Sequence, residues 1–283
     1  MKPGKIDVTG GYSSDALLHG PDSLFDHLAQ IFQTFLVHGE VTGQLLSCAF
    51  LPLFKGGQKS PNMTDSYRAI AGFSQLLNIL NNVVLLLWGH LLESDSLQFG
   101  YKCETSTTQC SWLVREVADY YVQRGTPVIG ITLDCSKAFD KCLFDQLFQK
   151  LMDRHVPAVV IRTLIFIYEE QKGFVKLLDR RSESFSITDR TRQESVLSPS
   201  LFSVYLDELL LELRNLRVGC HVGGWYFGAA CFADDLFLLA PSRTAAVMML
   251  ETCERYARLH NLPFSTDPTL PNPKASAFSS EEN

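Results

Sequence analysis

Three carboxylates are the residues best placed to do chemistry. Asp134 ends a β-branched run, residues 128–133, that follows Gly125-Thr126-Pro127 and reads as a buried strand. Asp234 and Asp235 stand side by side in an apolar stretch, Cys231-Phe232-Ala233-Asp234-Asp235-Leu236-Phe237-Leu238, that reads as strand, turn, strand. Adjacent carboxylates in apolar surroundings repel each other and resist burial, and a divalent cation relieves both problems. Oxygen-only ligation suits Mg²⁺ or Mn²⁺ and not zinc. If the two strands lie side by side, the three carboxylates meet at one spot. They can then hold two ions about 4 Å apart, the arrangement used for phosphoryl transfer. An Asp-Asp pair alone is as compatible with a solvent-facing turn. Asp134 at a strand end tips the reading toward metal binding, because unpaired buried charge is costly.

The elements that must position these groups follow from apolar periodicity. Helical spacing marks residues 24–37, 74–93, 107–123, 144–151, 158–170, 199–214 and 244–259. Short apolar or β-branched runs mark strands at 45–54, 128–133, 174–178 and 184–188, and the apolar run resumes at 236–239. Residues 218–222 and 225–232 read as a hairpin turning at Gly223-Gly224, with its second arm running into the Asp pair. Pro199 suits a first helical turn, and Ser242 suits an N-cap. The first twenty residues are polar and glycine-rich and are expected to fray. The tail from Pro263 is rich in Pro and Ser, with no element assigned. The most apolar stretch, 76–92, carries Asn78, Asn81, Asn82 and His90, so a buried helix is expected there and not a membrane span.

With 283 residues, 46% of them hydrophobic and 20% charged, the chain can bury a sizeable core. Its net charge of -6 argues against a nucleic-acid partner unless the basic residues gather on one face. None of the eight cysteines shows the Cys-x-x-Cys spacing of a zinc site, and free thiols in a reducing compartment are expected. Met1-Lys2-Pro3-Gly4-Lys5 leads into no apolar core, so the expected location is intracellular, cytoplasmic or nuclear, and not secreted. On that ground the sequon Asn62-Met63-Thr64 is read as a chance match.

Five local sequences in order carry a resemblance. Leu51-Pro52-Leu53-Phe54-Lys55 with Tyr67-Arg68-Ala69-Ile70 comes first, then Gln98-Phe99-Gly100-Tyr101 with Ser106-Thr107. Asp134-Cys135-Ser136-Lys137-Ala138-Phe139-Asp140 follows, then Arg192-Gln193-Glu194-Ser195-Val196-Leu197-Ser198-Pro199, then Phe232-Ala233-Asp234-Asp235. From about residue 45 to 278 the chain resembles the reverse transcriptase (RNA-directed DNA polymerase) domain of non-LTR retrotransposons. The resemblance implies an α/β (α+β) fold: a polymerase palm, with an antiparallel sheet backed by helices, and a mostly helical fingers subdomain. Residues 1–126 would form the N-terminal segment and fingers. Residues 127–283 would form the palm, with a fingers return at about 141–190, and no thumb is expected. The resemblance makes Asp134, Asp234 and Asp235 the catalytic metal ligands for two Mg²⁺ or Mn²⁺ ions. Lys55 and Arg68 would neutralise the triphosphate. Phe139 would stack under the sugar and leave no room for a 2′-hydroxyl, and Gln193 would lie near the template. Lys274 is the candidate for the lysine that protonates the leaving pyrophosphate. The implied partners are an RNA template, a DNA primer and deoxynucleoside triphosphates, without a membrane.

The chain departs from the pattern in its second motif. The family places glycine where this sequence has Arg190, Glu194 and Ser195, and a side chain there obstructs close backbone approach to nucleic acid. Two readings therefore stand. One is an active two-metal polymerase acting on a primer 3′-hydroxyl. The other is a catalytically impaired retrotransposon-derived domain acting in binding or structure.

Overall fold

Helices alternate with short strands in a mixed α/β fold over the residues that a computed structural model describes. These are 3–8, 11–57, 60–135, 141–178, 180–187, 195–262, 264 and 274–278, with the backbone alone at 65 and 274–278. The first part of the chain runs α1 (Ser14–Leu18), α2 (Asp22–His38), β1 (Ser47–Phe54), β2 (Tyr67–Phe73), α3 (Gln75–Trp88) and α4 (Thr107–Val122). Then come β3 (Val128–Asp134), α5 (Phe144–Asp153), α6 (Ala158–Glu169), β4 (Lys172–Leu177), β5 (Arg180–Arg181) and β6 (Phe185–Ser186). The last part holds α7 (Ser198–Asn215), β7 (His221–Val222), β8 (Trp225–Tyr226), β9 (Ala229–Phe232), β10 (Asp235–Ala240), α8 (Arg243–Leu259) and β11 (Lys274–Phe278). Two units contain them: Met1–Leu91 with Phe148–Ser198, and Leu92–Leu147 with Pro199–Asn283.

In the first unit, the apolar faces of α2 and α3 close on α6 around Leu28, Phe32, Phe35, Leu77, Leu80 and Ile167. Helix α2 ends at Gly39, whose positive φ is the usual helix stop, and the Arg162 guanidinium donates to the terminal carbonyl of Val37. A sheet of order β2-β1-β4-β5, with β6 also on β4, completes the unit.

The described residues among the first twenty do not fray as expected. Leu17 joins the core, and the Asp7 carboxylate accepts the Gln75 N–H at 2.7 Å. Ser74 makes no side-chain cap on α3, so Asp7 supplies the acceptor that an exposed helix start needs. Helix α3 is buried along one face only. Leu77, Leu80, Asn81 and Val84 are inside, whereas Leu86 is 84% exposed. By length and composition alone, Gln75–Leu92 is apolar enough to cross a membrane. Within this fold the Asn81 amide donates to Ser195 Oγ at 3.2 Å.

In the second unit an antiparallel sheet of order β11-β3-β10-β9 carries α4 and α8. Val117, Val128, Cys220 and Leu239 form one core cluster between helix and sheet. Helix α7 is buried along Tyr205, Leu206, Leu209, Leu210 and Leu213. Two sequence readings change here. The expected long hairpin arm at 225–232 is broken at Phe227-Gly228: β8 pairs with β7, while β9 pairs with β10. The unassigned tail supplies β11, whose Ala-Ser-Ala centre lies against β3 in the register Ser276↔Gly130. The small residues of β11 give no apolar alternation to read.

Candidate functional site

Strand β3 delivers Asp134 at its last position because its apolar residues, Val128, Ile131 and Leu133, are drawn into the core and leave the carboxylate at the exposed end. Strand β10 runs antiparallel beside it, in the register Leu236↔Leu133 and Asp235↔Asp134. Directly opposed residues share a face, with Cβ atoms about 5 Å apart. The register thus sets Asp134 and Asp235 against each other. Asp234 precedes them in the two-residue Ala233-Asp234 turn that closes β9 on β10 through the pair Asp235↔Phe232. Cys135 N–H reaches back to the Asp234 carbonyl at 3.4 Å. Burial, followed by the Asp234 and Asp134 charges, pushes the Asp235 carboxyl above the ordinary carboxylate range.

Among the described residues, no three His, Cys, Asp or Glu side chains converge as a ready metal cage. The backbone register brings the carboxylates together, and their chemistry fits a hard divalent ion. All donors are oxygen, and burial together with the Asp234 and Asp134 charges makes Asp235 resist ionisation, which a cation would relieve.

The turn itself is strained. Ala233 has φ +58°, at the first central position of a two-residue hairpin, where glycine is favoured. Its neighbour across the site, Tyr101, has φ +63°. Burial and then the Asp234 charge raise the Tyr101 hydroxyl to about 12. Gln98 and Gly100 face Ala233 from the segment between them. Both stand in the motif Gln98-Phe99-Gly100-Tyr101, and the resemblance assigns neither a role. A buried amide and a glycine in an otherwise apolar stretch are the signal that could have singled them out.

Lys55 and Arg68 belong to the first unit. Arg68 pairs with Leu53 across the β1–β2 hairpin, and Lys55 N–H donates to the Ser66 carbonyl at 2.9 Å just beyond it. Phe139, Gln193, Arg190 and Glu194 lie outside the described residues. Lys274 opens β11, and its backbone pairs with Thr132, two residues before Asp134. Ser195 is buried, and its hydroxyl accepts from Asn81.

A family model described as reverse transcriptase (RNA-dependent DNA polymerase) matches residues 56–269. The retrovirus-related Pol polyprotein from the type-2 retrotransposable element R2DM of Drosophila melanogaster is 25% identical over 203 residues, covering 72% of this chain and 19% of that protein. The corresponding polyprotein from the type-1 retrotransposable element R2 of Nasonia vitripennis is 29% identical over 122 residues, covering 43% of this chain and 12% of that protein. The chain thus spans a fifth or less of the length of these curated relatives.

Proposed function

The chain belongs to the reverse transcriptase (RNA-dependent DNA polymerase) family, in the form found in non-LTR retrotransposons, and we propose that it extends a DNA primer by copying RNA. The observation that carries this reading is the register pair Asp134–Asp235 with Asp234 in the adjoining turn. The second unit acts as the palm and the first as the fingers. Asp134, Asp234 and Asp235 hold divalent ions, two Mg²⁺ or Mn²⁺, which when bound stabilise charge developing on the phosphates. Phe139 and Gln193 take their roles, under the sugar and near the template, from the sequence resemblance. The backbone of Lys274 beside the Asp134 strand supports its role toward the leaving pyrophosphate. Ser195 does not count against activity, because its hydroxyl is turned into a hydrogen bond with Asn81.

Charge distribution supports a nucleic-acid partner despite the acidic total. Arg68, Lys172, Lys176, Arg180 and Arg181 stand on the strands of the first unit's sheet, and no Asp or Glu stands among the described residues of those strands. The register links Leu53↔Arg68, Ala49↔Phe174 and Lys176↔Arg181, so the alternation puts Arg68, Lys172, Lys176 and Arg181 on one face. The Arg181 guanidinium lies 3.6 Å from the centre of the Phe174 ring. Lys55 and this face neutralise phosphates. Replacing Lys176 and Arg181 by Ala is expected to weaken RNA–DNA duplex binding about equally for all sequences. It should also lower the slope of log K against log salt by about two, read by fluorescence anisotropy. An unchanged slope would place the duplex elsewhere.

All eight cysteines are free, seven of them buried, which goes with a reducing cytoplasmic or nuclear location. The decisive assay is primer extension on an RNA template with Mg²⁺ or Mn²⁺, using Asp134→Asn as the blank. Extension well above the blank is expected. Extension equal to it would leave the non-catalytic binding or structural reading.

A further inference from the structure

The turn that presents Asp234 and Asp235 is held by a side chain 135 positions earlier in the sequence. Gln98 is 1% exposed. Its Oε1 accepts the Ala233 N–H at 3.0 Å and the Gly100 N–H at 2.8 Å, and its Nε2 donates to the Ala233 carbonyl at 3.2 Å. Two N–H groups converging on one oxygen fix which end of the amide faces which way. The side chain thus pairs with both polar groups of the one residue at positive φ in the turn.

The segment bearing Gln98 is itself anchored. Phe99 N–H donates to the Cys231 carbonyl and Cys231 N–H to the Leu97 carbonyl, each at 2.7 Å, so the segment runs along β9. Asp95 accepts from Leu97 N–H at 2.9 Å and from the Arg214 guanidinium of α7 at 2.8 Å, and Asp207 of the same helix accepts Asp95 N–H at 2.9 Å. Lys102 Nζ donates to the Ser94 carbonyl at 2.9 Å. A rigid chain of contacts therefore leads from α7 through Gln98 to the strained peptide.

We infer that Gln98 is a positioning residue, which holds Ala233 in its left-handed conformation and so fixes where the Asp234 and Asp235 carboxylates stand. A left-handed alanine costs about 1 kcal/mol and persists only where surrounding contacts over-determine it. The Gln98 amide supplies two hydrogen bonds directed at that residue. The inference rests on the polymerase reading for its consequence, which is divalent-ion binding.

The test uses the whole chain and three variants, Gln98→Met, Gln98→Glu and Gln98→Met with Ala233→Gly. Mn²⁺ affinity is read by electron paramagnetic resonance. Hydrogen–deuterium exchange is read over residues 229–240, and melting is followed in parallel. Gln98→Met keeps the side-chain length and removes all three bonds. It should weaken Mn²⁺ binding about tenfold or more and speed exchange of the turn. Adding Ala233→Gly should recover part of the affinity, because glycine takes positive φ without a clamp. General loss of stability would not be repaired in that way. Gln98→Glu keeps an oxygen for the Ala233 and Gly100 N–H groups but, when ionised, sets a second acceptor against the Ala233 carbonyl and buries a charge, so it should also weaken Mn²⁺ binding and speed exchange of the turn. It serves in place of Gln98→Met should that variant not fold. Parental Mn²⁺ affinity in Gln98→Met, or no recovery on adding Ala233→Gly, overturns the inference. A parent chain that binds no Mn²⁺ overturns the metal reading instead. Exchange then decides on Gln98: an unchanged rate over 229–240 in the variant overturns its role, and a faster rate upholds it.

Discussion

Asp235→Asn is expected to abolish primer extension and, with divalent ions chelated, to melt slightly above the parent at neutral pH. Both results follow from one environment. Burial and the neighbouring Asp234 and Asp134 charges hold the Asp235 carboxyl above the ordinary carboxylate range. A carboxyl whose folded value is raised stabilises the fold only while protonated, below the unfolded value. That contribution is lost as pH rises through the folded value. At pH 7 the ionised side chain therefore opposes folding, and a neutral amide of the same shape does not. The group is partly solvent-exposed, so screening keeps the gain small, about one or two degrees in melting temperature.

The gap between variant and parent should narrow as pH falls through the raised folded value, below which the parent is also neutral at this position. Mg²⁺ or Mn²⁺ should reverse the order by raising the parent and not the variant. Activity should fall about a thousandfold or more, since a ligand for transition-state charge is gone. Thermal melts from pH 4 to 7.5, with and without the ion, read all of this. A variant that melts lower than the chelated parent at pH 7 would show that Asp235 has a stabilising partner and no need of a cation.

Much of the second unit was legible because two of its strands are defined by apolar runs that end on charge. Residues 128–133 and 236–239 could be little other than buried strands, and placing them side by side was enough to expect the three carboxylates together. The relation within the trio was not legible. Which Asp faces Asp134 depends on the register of β10, and a slip of one residue exchanges Asp234 for Asp235. Strand β11 escaped because small residues alternating with nothing give no periodic signal. The described N-terminal residues owe their order to long-range contacts, Asp7 on Gln75 and Leu17 in the core, which local composition does not encode. The basic face is the reverse case. Its charges are scattered over residues 68–181 in the chain, and only strand register gathers them.

Gly100→Ala should damage this site, and the reason is distance, not backbone freedom. A Cβ at position 100 would stand 2.2 Å from the Ala233 nitrogen and 2.7 Å from its Cα. Both are backbone atoms of a turn already strained and clamped, so neither can move aside cheaply. The segment must lift off β9 instead. That movement stretches the 2.7 Å bonds between Phe99 and Cys231 and between Cys231 and Leu97, and it draws Gln98 away from Ala233. Overpacking of this kind costs about 1–3 kcal/mol, and lost main-chain bonds add to it. A fall in melting temperature of roughly 4–10 °C follows for a chain of this size. Extension should drop about a hundredfold at temperatures where the variant is still folded, because misplacement of reacting groups by about 1 Å has that effect. Gly89→Ala is the control. A Cβ added there would meet nothing within 4 Å and φ is ordinary, so the variant should melt at or slightly above the parent temperature and extend normally. If Gly100→Ala behaves like that control, the close approach of the two segments is absent in solution. The strained turn would then have to be held by β9 and β10 alone.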